Sequence, residues 1–297
     1  MAHQETNTAT PQARIRVLTH RSEGQFDPAA WMKEGEHLFA SAKVVRASWT
    51  VRRRKLSRNI SRKAPSVRAW AELEGLPKAS VLLLGYAMEM FLKAGLSKAY
   101  AGCPETLFDR DLRRYSHNFK ELAKAVAFEA TVQDKQDLNT LREMVLYDAR
   151  YPVKPDAQNT AIELQTERAS VIWSKAEFTR LRHLVLRVKA HVSKIDRDSM
   201  NPCSVTSIEM DDDGYVVYRV GGWLPPRVTY RFSTAQIAAG ASTRESLKAL
   251  AEAGQLALLG HYWGQAEFFE DDLGRVPKNE PVAPDGRKAI RRRKRSA

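Results

Sequence analysis

Residues 80–100, SVLLLGYAMEMFLKAGLSKAY, decide the fold of this chain. Apolar side chains fall on nearly every face of a helix drawn through this stretch, and it contains no proline. Its two glycines, Gly85 and Gly95, lie inside an otherwise strong helical pattern. Because a helix that is apolar all round is usually buried at the centre of a domain, we predict a central core helix over about residues 78–100.

Two charged residues, Glu89 and Lys93, interrupt this apolar stretch. They are four residues apart with the acid first, which is the favourable order for an ion pair on a helix. The uncharged run 80–88 is far shorter than the roughly 20 residues that a membrane span needs, so a buried helix is the better interpretation. Since buried charges are usually paired, we interpret Glu89 and Lys93 as a structural ion pair at the rim of the core, with a functional pair as the alternative.

The net charge of +13 comes from two short basic runs. Residues 46–68 hold nine Lys or Arg and residues 287–297 hold seven, with no acid in either run. The remaining 32 basic residues nearly balance the 35 acidic ones. Such local runs are what a polyanion partner needs, and a solvated charged surface is the alternative. The predicted nucleic-acid contacts are Arg52, Arg53, Arg54, Lys55, Arg58, Arg62, Lys63, Arg291, Arg292 and Arg293.

The cysteines and the hydropathy of the sequence predict the cellular compartment of the protein. Cys103 and Cys203 are 100 positions apart and lack the spacing of metal ligands. The sequence shows neither an apolar leader of the signal-peptide type nor a membrane span. We therefore expect a cytoplasmic protein with two free thiols and with no cofactor, metal or membrane partner.

Composition divides the chain into four segments. Residues 1–26 are polar and predict a flexible N-terminal arm, whereas residues 27–199 carry helical periodicity. Residues 200–270 change to strand and turn patterns, and residues 271–297 lose apolar content and end in the basic run. The chain is therefore predicted to be mainly α, with an up-and-down helical bundle, a small α+β domain and a disordered basic tail.

Helix-breaking residues set the expected boundaries inside the bundle. Gly75 and Pro77 are expected to end a short turn that precedes the central helix. Residues 109–116, DRDLRRYS, are expected to form a charged connection. The last long helix is expected over about residues 167–195, and Ser174 is a candidate break within it.

Two patterns that resemble metal ligands have simpler explanations. The run DDDG at 211–214 stands inside residues 204–220, which have the strand pattern of a β-hairpin, so the aspartates mark its tip. The other positions of a calcium loop are absent. His183 and His191 lie two helical turns apart with no third ligand at zinc spacing, and we expect them on the surface or in packing contacts.

Three short motifs stand in order in the helical part: GYAMEMFLKA at 85–94, SHNFKEL at 116–122 and ARYP at 149–152. The first motif resembles the Ala-x-Glu-x-x-Leu-Lys-Ala core of the second helix in the HEPN family (higher eukaryotes and prokaryotes nucleotide-binding). The second resembles the His-Asp-Leu-x-x-Leu opening of that family's third helix. The third resembles the Arg-Tyr-Pro that closes its fourth helix. The resemblance covers about residues 28–195. The residues that match the family motifs are Glu89, Lys93, Asn118, Arg150 and Tyr151.

The resemblance implies a HEPN-like bundle of four or five helices that is commonly dimeric. Family members include RNases of toxin–antitoxin and defence systems, nucleotide-binding domains and inactive scaffolds. Catalytic members carry an Arg and a His, separated by four to six intervening residues, on a late helix near the dimer interface. Here Arg110 and His117 have that spacing but lie on the connection into the third helix, whereas Arg187 and His191 on the late helix have only three residues between them.

By this resemblance, Arg110 and His117 are the catalytic candidates. His117 would take the proton from the RNA 2′-hydroxyl and Arg110 would stabilise the charged phosphate, without a metal ion. The alternative is structural, because Ser116 or His117 is where we expect the next helix to begin.

The sequence leaves three functions open. The first is a HEPN-like homodimer that binds RNA or a nucleotide through its basic runs, in a prokaryotic defence or toxin–antitoxin context. The second is a metal-independent RNase. The third is a non-catalytic scaffold that recruits a protein partner through residues 203–270. We favour the first, because a fold does not by itself assign chemistry and the basic runs supply the chemistry of phosphate binding.

Overall fold

Helices dominate the first two-thirds of the chain, and a four-stranded sheet follows them, which confirms the predicted mainly α chain with a small α+β part. The computed structural model describes residues 16–59, 66–148, 160–254 and 257–272. The helices are α1 (Pro28–Asn59), α2 (Val67–Ala99), α3 (Glu105–Tyr115), α4 (Phe119–Ala125), α5 (Val132–Glu143), α6 (Ala161–Trp173), α7 (Lys175–Lys194), α8 (Thr234–Ala238), α9 (Arg244–Ala253) and α10 (Ala257–Tyr262). The strands are β1 (Ser204–Met210), β2 (Gly214–Val220), β3 (Arg227–Arg231) and β4 (Glu267–Glu270).

Helix α2 is the predicted central helix, and the bundle packs around it. Leu84 is fully buried, as the all-round apolar pattern requires. A Cβ at Gly85 would lie 2.5 Å from Val145 Cγ2, and a Cβ at Gly95 would lie 2.7 Å from Val126 Cγ1. The two glycines therefore let neighbouring segments approach the α2 backbone closely. By length and hydropathy α2 also qualifies as a membrane span, and 67% of its most apolar window is buried inside the protein.

The predicted boundary at Gly75 and Pro77 is wrong, because α2 continues through both residues. Proline lacks the N–H that would bond the carbonyl four residues earlier, here that of Leu73, and its ring crowds that carbonyl. The Nε1–H of Trp49 on α1 donates to the Leu73 oxygen at 3.1 Å. A neighbouring helix thus supplies the hydrogen bond that the proline removes, and α2 continues unbroken.

We expect Trp49→Phe to lower the free energy of unfolding by about 2–3 kcal/mol, because a buried carbonyl loses its donor. In a Pro77→Ala background the restored main-chain N–H can bond the same carbonyl, so the cost of Trp49→Phe should fall by about 1 kcal/mol. Urea denaturation of the four proteins of this double-mutant cycle measures the difference. Equal costs in the two backgrounds would show that the indole bond does not compensate for the proline.

Residues 109–116 do not form the predicted charged connection, since most of them belong to helix α3. Phe108 and Leu112, one helical turn apart, are buried and fix α3 against the core. Helix α4 begins at Phe119, after the predicted start, because the Asn118 side chain accepts from the Glu121 N–H as its N-cap.

The predicted loose arm is also wrong for residues 16–26, while residues 1–15 lie outside the described part of the chain. Leu18 is only 3% exposed. Its N–H donates to the Cys103 carbonyl at 2.9 Å, and its own carbonyl accepts from the Gly102 N–H at 2.9 Å. Burial of one leucine and these two backbone bonds attach the segment to the bundle.

The predicted break at Ser174 is confirmed, and its side chain caps α7 by accepting from the Glu177 N–H. The preceding helix begins earlier than expected, at Ala161. The reason is a capping box in which Thr160 and Glu163 satisfy each other's backbone N–H groups.

The sheet packs one face on the bundle and the other on helix α9. Its order is β1-β2-β3-β4, with β4 parallel to β3 and the other pairs antiparallel. Tyr215 and Val217 join the bundle core, while Val216 and Tyr218 join a second core with Leu247. The predicted hairpin, formed by β1 and β2, is therefore confirmed. Strand β2 is buried on both faces of the sheet.

The aspartates of the hairpin tip have structural partners. The Asp213 carboxylate accepts from the Thr234 N–H at 3.0 Å, and Asp211 accepts from the Ser233 hydroxyl. These bonds fix the turn to the start of α8, in agreement with the prediction of a hairpin tip.

Candidate nucleic-acid interface

A groove of about 610 Å³ lies between the second half of α1 and the first half of α7. We call it the cationic groove. Among the described residues that line it none is acidic, and seven are basic: Lys43, Arg46, Arg53, Arg54, Arg58, Lys175 and Arg182. Three hydroxyl side chains, of Thr50, Ser57 and Thr179, lie between these cations.

The spacing of residues on α1 produces this wall of the groove. Lining positions recur three or four residues apart from Lys43 to Arg58, so they share one face of the helix. Lys43 and Arg58 are 15 positions apart, which is about 22 Å along the helix axis. On α7, Lys175 and Arg182 lie two turns apart and place two more cations opposite.

Arg46 holds the floor of the groove. Its guanidinium donates from Nη1 to the Ile172 carbonyl at 2.6 Å and from Nη2 to the Ser174 carbonyl at 2.7 Å. It also lies 4.3 Å from the Trp49 ring centre and 4.7 Å from that of Phe178. Burial, and then the positive charge of Arg53, lower the pKa of Arg46 to about 10. Arg46 therefore joins α1 to the break between α6 and α7.

Apart from the half-buried Arg182, the other cations of the groove are exposed. Lys43, Arg53, Arg54 and Arg58 are exposed. The Nε of Arg182 is buried and has no hydrogen-bond partner within the described residues. Uncompensated positive charge beside hydroxyl groups is suited to bind phosphate oxygens, which accept hydrogen bonds from both.

The predicted basic contacts divide into three groups. Arg53, Arg54 and Arg58 line the cationic groove. Arg52 instead forms an ion pair with Glu72 on α2, and Lys55 is exposed but is not part of the described groove lining. The remaining predicted contacts, which lie outside the described residues, are Arg62, Lys63, Arg291, Arg292 and Arg293.

The two catalytic candidates bind different carboxylates. Arg110 on α3 donates from Nη1 to Asp271 Oδ1 at 2.8 Å. His117, just before α4, places its Nδ1 2.9 Å from Glu89 Oε2. Arg110 is thus engaged at the junction with the sheet, while His117 contacts the central helix.

Glu89 connects two basic side chains on the bundle. Its carboxylate is 2% exposed, and Oε1 lies 2.6 Å from Lys93 Nζ, which confirms the predicted ion pair. The second oxygen, Oε2, lies 2.9 Å from Nδ1 of His117, so this contact leaves Nε2 for another partner. The His117 side chain is 31% exposed. The approach of His117 to Glu89 depends on tertiary structure, and the sequence pattern did not indicate it.

The remaining predicted site residues have structural roles or lie outside the described residues. Asn118 caps α4, whereas Arg150 and Tyr151 fall in the part that is not described. The Nε2 of His191 lies 2.7 Å from the Val126 carbonyl oxygen, and His183 contacts Arg182. Within the described residues, no cluster of three His, Cys, Asp or Glu side chains has the geometry to hold a metal ion.

The comparisons with known proteins place the chain in no family. It matches no protein-family model, no curated protein and no solved structure.

Proposed function

We propose that this protein binds single-stranded RNA through the cationic groove. The observation that carries the proposal is the absence of acidic side chains among the described lining residues, beside seven basic ones. Within the described residues, the cations of this lining form no ion pair of the kind that joins Arg52 to Glu72. A bound phosphate backbone supplies the missing negative charge.

The resemblance to HEPN domains favours RNA, or a nucleotide, over DNA. It also supports two accompanying proposals: a homodimer and a role in a defence or toxin–antitoxin system. The proposed cytoplasmic location rests instead on the hydropathy and cysteine pattern of the sequence. Light scattering over a range of protein concentrations tests the homodimer. The alternative of a scaffold that recruits a protein through residues 203–270 stays a prediction.

Binding should depend steeply on salt. If about four of the exposed cations contact phosphates, the logarithm of the association constant should fall with a slope of about −3 against the logarithm of salt concentration. This slope corresponds to roughly 50-fold weaker binding at about 200 mM than at about 50 mM salt. Fluorescence anisotropy with an RNA of roughly 12 nucleotides measures the slope, and the same sequence as DNA is the comparison. An affinity that changes little with salt would contradict the proposal.

The second candidate function is metal-independent RNA cleavage at His117. The buried Glu89 carboxylate fixes the imidazole through Nδ1, as an acid orients the histidine of a catalytic pair. Nε2 would take the proton of the RNA 2′-hydroxyl, which would then attack the adjacent phosphorus and expel the 5′-oxygen of the next nucleotide. In this cleavage mechanism Arg110 does not contact the RNA, because it binds Asp271.

Cleavage in the presence of EDTA tests this candidate. We expect His117→Ala to reduce the rate by about 100-fold or more, whereas Arg110→Ala should keep most of it. Full activity of His117→Ala would move the site elsewhere. No cleavage by the wild type, with RNA binding retained, would leave only the binding function.

A further inference from the structure

A second large cleft, separate from the cationic groove, lies where the bundle meets the sheet. Its volume is about 950 Å³, within the range of small-molecule sites. Residues 17–20, the first turns of α1 and the ends of α2 and α7 form its walls, and β1 closes one side. We call it the junction cleft.

The carboxylates of the junction cleft already have partners within the protein, two of them with cations. In the described lining they are Asp27, Glu36 and Asp196. Asp27 accepts from the Ala29 N–H at the start of α1, at 2.8 Å. Glu36 binds Lys189 at 2.8 Å, and Asp196 binds Arg219 at 2.5 Å.

Within the described residues, Lys33, Lys98 and Arg197 of the junction cleft form no ion pair, although the charge of Asp196 also acts on Lys98. Lys98 Nζ donates to the Val192 and Ile195 carbonyls, both at 2.8 Å, and these acceptors carry no net charge. An ammonium group has three donors, so one remains for a ligand. Burial lowers the pKa of Lys98 to about 8, so it is largely charged at neutral pH. Lys33 and Arg197 are exposed and also line the cleft.

The remaining lining is suited to an apolar group. The half-buried side chains of Phe26 and Met32 contribute hydrophobic surface to the same cleft. Cys203 lies there too, but burial raises the pKa of its thiol to about 11, so it stays protonated and unreactive at neutral pH. The chemistry of the cleft is therefore binding rather than thiolate attack.

We propose that the junction cleft binds a small organic anion, a phosphate monoester or a carboxylate, whose apolar body packs on Phe26 and Met32 while its charged group contacts Lys98, Lys33 and Arg197. The site is independent of RNA binding in the cationic groove. A ligand here would contact both the bundle and the sheet.

The test uses the fluorescent sulfonate 8-anilinonaphthalene-1-sulfonate as the probe, with the full chain. We expect saturable binding at one site, weakened about tenfold or more by K33M/R197M and by Lys98→Met. Because Lys98 also binds backbone carbonyls, the K33M/R197M protein, altered only at exposed residues, keeps the test valid if Lys98→Met fails to fold. Lys194→Met, an exposed residue on the same end of α7, is the matched control and should bind as the wild type does.

Competition identifies the kind of anion. Displacement of the probe by phenyl phosphate but not by benzoate assigns phosphate monoesters, and the reverse assigns carboxylates. No saturable binding, or equal binding by the wild type and K33M/R197M, would overturn the proposal.

Discussion

Asp271→Ala should lower the free energy of unfolding by about 3–5 kcal/mol, because it leaves two arginines without their shared carboxylate. Asp271 follows β4 and is 2% exposed. Arg110 donates to Oδ1 at 2.8 Å, whereas Arg231 and the Tyr215 hydroxyl both donate to Oδ2, the latter at 2.7 Å. One carboxylate thus joins α3 of the bundle to two strands of the sheet.

Chemical denaturation of Asp271→Ala, Asp271→Asn and Asp212→Ala measures this effect. Asn keeps the shape but not the charge, so its loss of stability should be intermediate. Asp212, exposed at the hairpin tip, is the matched control and should change stability by less than about 0.5 kcal/mol. If Asp271→Ala were no more costly than Asp212→Ala, the carboxylate would not hold bundle and sheet together.

Removal of three cations from the cationic groove should have the second large effect that we expect, a loss of RNA affinity. The variant R54A/R58A/R182A should bind single-stranded RNA at least about 30-fold more weakly at low salt, since each lost arginine removes a charge-assisted contact with phosphate. Arg46 is left intact because it binds the Ile172 and Ser174 carbonyls. The fold should therefore survive, and circular dichroism and denaturation check that it does.

The matched control for the groove variant removes three cations from another surface. Lys120, Lys124 and Lys135 are exposed and line a different pocket beside α4 and α5, so K120A/K124A/K135A changes the net charge by the same amount. We expect its RNA affinity to stay within about threefold of the wild type. Equal losses in both variants would indicate attraction by net charge alone.

The sequence predicted those parts of the fold whose cause is local. The all-round apolar pattern of residues 80–100 predicted the core helix, and the run DDDG at 211–214 predicted the hairpin. The break at Ser174 was also predictable, because its side chain caps the next helix. These features depend on residues close together in the chain.

The sequence-based predictions of the fold were wrong where a residue distant in the chain decides the local structure. Pro77 does not end α2 because Trp49, on another helix, bonds the carbonyl that the proline leaves free. Asp271 appeared to open a disordered tail, yet three side chains from other elements bury it. Such partners, 28 and more residues away in sequence, leave no periodic signal in the segment itself.

The sequence predicted one of the two walls of the cationic groove. The basic run identified Arg53, Arg54 and Arg58 on α1, but it gave no indication of the opposite wall. Lys175 and Arg182 belong to a helix of mixed charge, and only the packing of α7 against α1 places them on the groove.

The most direct test of RNA binding in the cationic groove is the salt dependence of RNA affinity for R54A/R58A/R182A beside the wild type and K120A/K124A/K135A. Each phosphate contact contributes about −0.7 to the slope, so removing three should change it from about −3 to about −1. The control should keep the slope of the wild type. If the groove variant also kept it, the phosphates would be bound elsewhere, and the cationic groove would not be the RNA site.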